Sequence, residues 1–230
     1  MIKKRSAQLA ALACAGLASC WLLSMPASAA AKTKEVQFTQ CLSTAVNLPD
    51  GPPPPFTTVN PAASFAVPVR VPKFKGRRQD GVVTRFNSVG VRISHTDVSD
   101  LALFLVSPGG RAVALATYRD QSTNVDGEGD PAPSGDGFGA GAPSCAGSLV
   151  DFSDRSRPSI AAPGNTALDA PIMGAFSPEQ PLGTFVGGPA RGFWTLIVQD
   201  IVFQDTGQIN ALSLSFDYRY KANPKRKKRK

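Results

Sequence analysis

The chain has 230 residues, 42% of them hydrophobic and 18% charged, which excludes a wholly disordered chain and a coiled coil. Its 21 glycines and 20 prolines exclude long uninterrupted helices. The formal net charge of +8 belongs to the ends: setting aside Lys3, Lys4 and Arg5, and the seven basic residues among 221–230, leaves 15 basic residues against 17 acidic ones, which excludes a basic face for specific nucleic-acid recognition.

In chain order, residues 1–29 read as an export signal. Lys3-Lys4-Arg5 is a positive n-region, Ala7 to Leu23 is an apolar run, and Ala27-Ser28-Ala29 after Pro26 is a small-residue cleavage site. Two rival readings stand beside cleavage after Ala29. Leu17-Ala18-Ser19-Cys20 matches a lipobox with Cys20 as the lipidated residue, and an uncleaved segment would anchor the chain. No other stretch reaches the roughly 18 apolar residues of a membrane span, so no transmembrane span is expected in the mature protein. Cleavage removes Cys14 and Cys20 and leaves Cys41 and Cys145. In an exported, bacterial-type protein, secreted or held in the cell envelope, these two are expected to form a disulfide, since zinc would need more cysteine or histidine ligands.

Residues 30–61 read as an extended arm, pinned by Cys41 and carrying Gly51-Pro52-Pro53-Pro54-Pro55 as polyproline II. From 62 to 220 the pattern changes to short alternating segments. Ser64–Val71 reads as a strand with Pro68 at an edge or bulge. Val82–His95 is a longer one, with Val89, Val91, Ile93 and His95 on one face. Leu101–Ser107 is nearly all apolar, as for a strand buried on both sides, and Pro108-Gly109-Gly110 turns the chain into Arg111–Tyr118. Gly192–Asp200 places Trp194, Leu196 and Val198 on one face. The last strand sets Leu212, Leu214, Phe216, Tyr218 and Tyr220 against Ser213, Ser215, Asp217 and Arg219, and Asp205-Thr206-Gly207 could close a hairpin between these two. The expected fold is all-β, an antiparallel sandwich of about eight strands, with residues 221–230 as a basic disordered tail.

The ordered motifs carry a resemblance. VRISHTDVSDLALFLVSPGGRAVAL (Val91–Leu115) is followed by LVDFSDRS (Leu149–Ser156), by Ala170-Pro171-Ile172-Met173-Gly174, and by PLGTFVGGPARGFWTLIVQDIVFQDTGQINALSLSF (Pro181–Phe216). This set resembles the P domain, or Homo B domain, of proprotein convertases and of many bacterial exported proteases, where it follows a subtilisin-like catalytic domain. The resemblance implies a jelly-roll β-sandwich, a signature of His95, Asp100, Trp194, Asp205 and Gly207, and association with a separately encoded subtilisin-like serine endopeptidase.

The residues suit stability better than catalysis. His95 reads as a neutral imidazole hydrogen-bonded near a strand end, Asp100 as an acceptor for backbone N–H groups at a turn, and Trp194 as a buried indole whose N–H needs a partner. His95 is the only candidate base in the chain. Asp97, Ser99 and Asp100 beside it provide no nucleophile environment, and there is no Gly-x-Ser-x-Gly elbow. A single Asp205-Thr206-Gly207 turn cannot form the carboxylate pair of an aspartic protease. A chain without a catalytic triad is expected to be no enzyme, although P domains travel with serine-type endopeptidases.

No cofactor is required, but some P domains bind calcium. The resemblance places Asp97, Asp100 and Asp154 as its ligands, while Ser153 interrupts the acidic pair of the family and Arg155 adds a positive charge. Asp126-Gly127-Glu128-Gly129-Asp130 has alternating carboxylates but lacks the glycine and glutamate of an EF-hand loop. Lys225, Arg226, Lys227, Lys228, Arg229 and Lys230 have two readings, a solvated tail or an adhesive segment for an anionic envelope polymer. The second reading would make the protein a structural or adhesive component of the envelope.

Overall fold

The computed structural model describes residues 33–49, 64–72, 81–96, 98, 101–117, 137–160, 172–200 and 206–221. These lie within one compact unit, Ala31–Lys230. Among the described residues the strands are β1 Thr33–Asn47, β2 Ser64–Val71, β3 Val82–His95, β4 Leu101–Val106, β5 Ala112–Thr117, β6 Gly137–Phe138, β7 Val150–Phe152, β8 Gly174–Phe176, β9 Gly192–Asp200 and β10 Gly207–Lys221. One 3₁₀ turn, Leu182–Phe185, precedes β9.

The strands form two sheets. The first runs β1-β10-β3-β7-β8, with β6 also paired to β3, and the second runs β2-β9-β4-β5. All pairings are antiparallel except β7 with β8. Alternation decides which side chains fill the space between the sheets: Val89, Val91 and Ile93 from β3 and Leu212, Leu214 and Phe216 from β10 meet Trp194, Leu196 and Val198 from β9 and Leu101, Leu103 and Leu105 from β4. At one end an aromatic cluster joins the sheets. Trp194 lies 5.3 Å from Phe86 and from Phe216 and 5.0 Å from Phe185, ring centroid to centroid. Rings of this size, buried together, make the largest single contribution to such a core.

Two features differ from the sequence reading. Residues 33–47, expected in an extended arm, are extended but belong to the sandwich: β1 pairs with β10 from Thr33↔Lys221 to Asn47↔Gln208. Its alternation is obscured by polar residues, yet Val36, Phe38 and Leu42 pack against the core. The expected β9–β10 hairpin is also corrected. β9 pairs with β2 and β4, whereas β10 pairs with β1 and β3. Both strands have strongly apolar faces, and each is buried between the sheets, β9 from one sheet and β10 from the other. The Gly51–Pro55 run and the segments 1–32 and 222–230 lie outside the described residues.

Candidate functional site

His95 ends β3 and Asp200 ends β9, so the two residues come from opposite sheets. His95 Nε2 lies 3.1 Å from Asp200 Oδ2, and their side chains are 0% and 1% exposed. The chain can approach this pair because Gly207, opposite His95 on β10, has no side chain. A methyl group there would collide with the His95 ring, the Leu48 side chain and the Ser94 carbonyl. Thr96 and Thr206 close the same end, with the Thr96 N–H donating to the Thr206 carbonyl at 3.1 Å and the Thr206 N–H donating to Thr96 Oγ1 at 3.0 Å.

The other sequence-predicted residues separate. The Trp194 indole N–H donates to the Ala190 carbonyl at 3.0 Å, which satisfies the group within the core. Asp154 follows β7 and turns both carboxylate oxygens onto the 3₁₀ turn: Oδ1 accepts from the Leu182 N–H at 2.7 Å and Oδ2 from the Gly183 N–H at 2.8 Å. That is how an acidic group caps exposed N–H donors at a helical start. Each Asp154 oxygen is thus engaged by one backbone N–H group. Among the described residues no group of three or more histidine, cysteine, aspartate or glutamate side chains could hold a metal. Asp97, Asp100, Asp205 and the run Lys225–Lys230 lie outside the described residues.

Cys41 and Cys145 form a disulfide with Cα atoms 6.0 Å apart. Cys41 lies on β1, and Cys145 lies on a loop that folds back between β6 and β7, closed at its base by a bridge between Ala140 and Ser148. Beneath this loop is a residue that sequence reasoning missed. Arg92, on the face of β3 opposite the core valines, is 1% exposed. Its Nη1 donates to the carbonyls of Ala142 and Ser144, each at 2.9 Å, and to that of Ala146 at 3.3 Å, while its Nε donates to the Ser148 carbonyl at 3.1 Å. Alternate carbonyls of one small-residue run thus ring a guanidinium. Gly147, at φ +106°, permits the approach, since a Cβ there would stand 2.9 Å from Nη2.

Asp200 was also missed, though it had a signal. It continues the inward row Trp194, Leu196, Val198, just as His95 continues Val89, Val91, Ile93. A charged residue in phase with an apolar face needs a buried partner. Nothing comparable marked Arg92, because a polar residue on the outer face of a strand is ordinary.

No family model matches the chain, and no curated protein matches it in sequence. Among solved structures it resembles the serine protease of Aeromonas sobria. In complex with its chaperone, that protein aligns at 14% identity and a TM-score of 0.38, over 80% of this chain and 27% of the other. By itself it aligns at 13% identity and a TM-score of 0.37 with the same coverage. The chain therefore spans little more than a quarter of those structures, and likeness this loose carries no argument about function. Among the described residues no helix is long and apolar enough to cross a membrane.

Proposed function

We propose that this chain is an exported, non-catalytic β-sandwich module of P-domain type that binds or stabilises a separately encoded subtilisin-like serine endopeptidase. The observation that carries the reading is the placement of the motif residues. His95, Trp194 and Gly207, which bear the resemblance, meet Asp200, Ala190 and the His95 ring in the interior, where the His95–Asp200 contact joins the two sheets. An imidazole whose side chain is 0% exposed is poorly placed to take a proton from a substrate-facing nucleophile, which supports a binding role over hydrolysis. The disulfide is compatible with an oxidising compartment.

The test is recovery of the tagged protein from the medium of the cells that produce it, followed by a fluorophosphonate probe for active serine hydrolases. A labelled endopeptidase of different mass in the eluate is expected. An eluate with no labelled partner, or labelling of this chain itself with peptide cleavage by the pure protein, would reject the proposal.

A further inference from the structure

A sheet edge is a row of backbone N–H and C=O groups that can pair with another strand, and folded proteins usually block it. Among the described residues the edges at β5, β2 and β8 are blocked. At β5, the Ala114 and Thr117 N–H groups donate to Gln180 Oε1 at 3.0 Å and Glu179 Oε1 at 2.6 Å, and the Leu115 and Ala114 carbonyls accept from the Glu179 and Gln180 N–H groups. β2 carries the exposed Pro68 at its middle, which has no N–H to offer. β8 is three residues long and is flanked by the Ser159–Ser177 bridge.

β1 is different. Its 15 residues contain no proline or glycine, and its charges, Lys34 and Glu35, stand at one end. Its pairing with β10 is unbroken from Thr33 to Ser43, and its other edge has no strand partner among the described residues. Val36, Phe38 and Leu42 remain only partly buried along it.

We propose that the outer edge of β1 pairs antiparallel with β1 of a second copy of this chain, about a twofold axis at Phe38, joining two sheets into one. The charge pattern favours self-pairing in this register. Phe38 meets the partner's Phe38, Val36 lies opposite Gln40, Gln37 opposite Thr39, Glu35 opposite Cys41 and Lys34 opposite Leu42, so no charge faces a like charge. Phe38 already stacks on Phe216 with centroids 5.0 Å apart, and the pairing extends that aromatic row across the axis while covering the half-buried apolar side chains. This inference concerns assembly and stands apart from the protease-binding proposal.

Sedimentation velocity on the oxidised chain lacking residues 1–29 tests it over a range of concentrations, with a variant carrying Gln37→Lys and Thr39→Lys. Both side chains are exposed in one copy, so melting should be preserved, but across the axis the substitutions set lysine against lysine. The parent should show a reversible monomer–dimer equilibrium. The double variant should dissociate at least about tenfold more readily. Mixing it with a Thr39→Glu variant should restore a heterodimer, because the lysine introduced at position 37 of one copy then lies opposite the carboxylate introduced at position 39 of the other. A parent that is monomeric at every concentration, a double variant that dimerises as well as the parent, or failure of the mixed pair to associate would overturn the proposal.

Discussion

The contact between His95 and Asp200 bridges the two sheets at a point where neither side chain reaches solvent. Such pairs resist the loss of one partner more than the loss of both, because the survivor keeps its desolvation cost. His95→Leu or Asp200→Leu alone is expected to lower the unfolding free energy by about 3 kcal/mol, and the double substitution by clearly less than the sum. Urea unfolding of the four proteins at pH 7 checks this. Strict additivity would mean that the contact is incidental.

The cap at Asp154 acts on the aromatic cluster from a distance. It holds Leu182 and Gly183, and through the 3₁₀ turn it sets Phe185 edge-on to Trp194. Asp154→Ala leaves two N–H groups to water and should cost about 1 kcal/mol. With residues 1–29 removed Trp194 is the chain's one tryptophan, so its emission reports the loosened packing directly. An unshifted emission spectrum with an unchanged urea midpoint would show that the turn does not depend on this carboxylate.

How much of this could be read beforehand depended on whether the signal was periodic. β2 and β9 were bounded correctly because valine, leucine and tryptophan alternate along them, and β3 because Val89, Val91 and Ile93 alternate in its second half. β1 escaped because Gln40 stands in the apolar row between Phe38 and Leu42. Its place in the sandwich is fixed by the long ladder with β10 rather than by its own pattern. The misread hairpin has the same origin, since two strands that are adjacent in sequence and apolar on one face can pair or stack, and their periodicity is identical in both cases. At the candidate site, His95 was visible as a polar residue in phase with a core face. The Arg92 cage was not, because its acceptors are main-chain carbonyls, which any residue supplies.

That cage leads to a third expectation. Arg92 and the disulfide hold the same loop by independent means, one through its carbonyls and one through Cys145. Arg92→Met should leave the carbonyls of Ala142, Ser144 and Ala146 without their donor and that of Ser148 with only the Ala140 N–H, cost about 3 kcal/mol and expose the loop, whose cystine at Cys145 is already on the surface. Reduction by dithiothreitol should then be faster than in the parent, and amide exchange across 141–148 should rise. Replacing both cysteines by serine removes a cross-link over 104 residues of sequence, for which chain entropy sets an upper value of about 4.7 kcal/mol. If Arg92→Met leaves the reduction rate and amide protection unchanged, the carbonyl ring does not restrain the loop.

The last expectation concerns pH. Asp151, on β7 opposite Gly90, has its carboxyl pushed above the ordinary carboxylate range by burial. Leu149 and Asp151 both crowd the space beside Gly90, where Oδ1 would lie 2.9 Å from an added Cβ. A raised value in the folded state means that the native protein holds this proton more tightly than the unfolded chain does. The protonated form favours folding below the ordinary aspartate pKa of about 3.9, and that advantage is lost as pH rises through the higher folded value. Asp151→Asn, which cannot ionise, should therefore melt higher than the parent at pH 7, with the difference shrinking towards pH 3. A difference that stayed constant across that range, or a lower melting temperature at pH 7, would show that the ionised carboxylate is not a liability in the folded state.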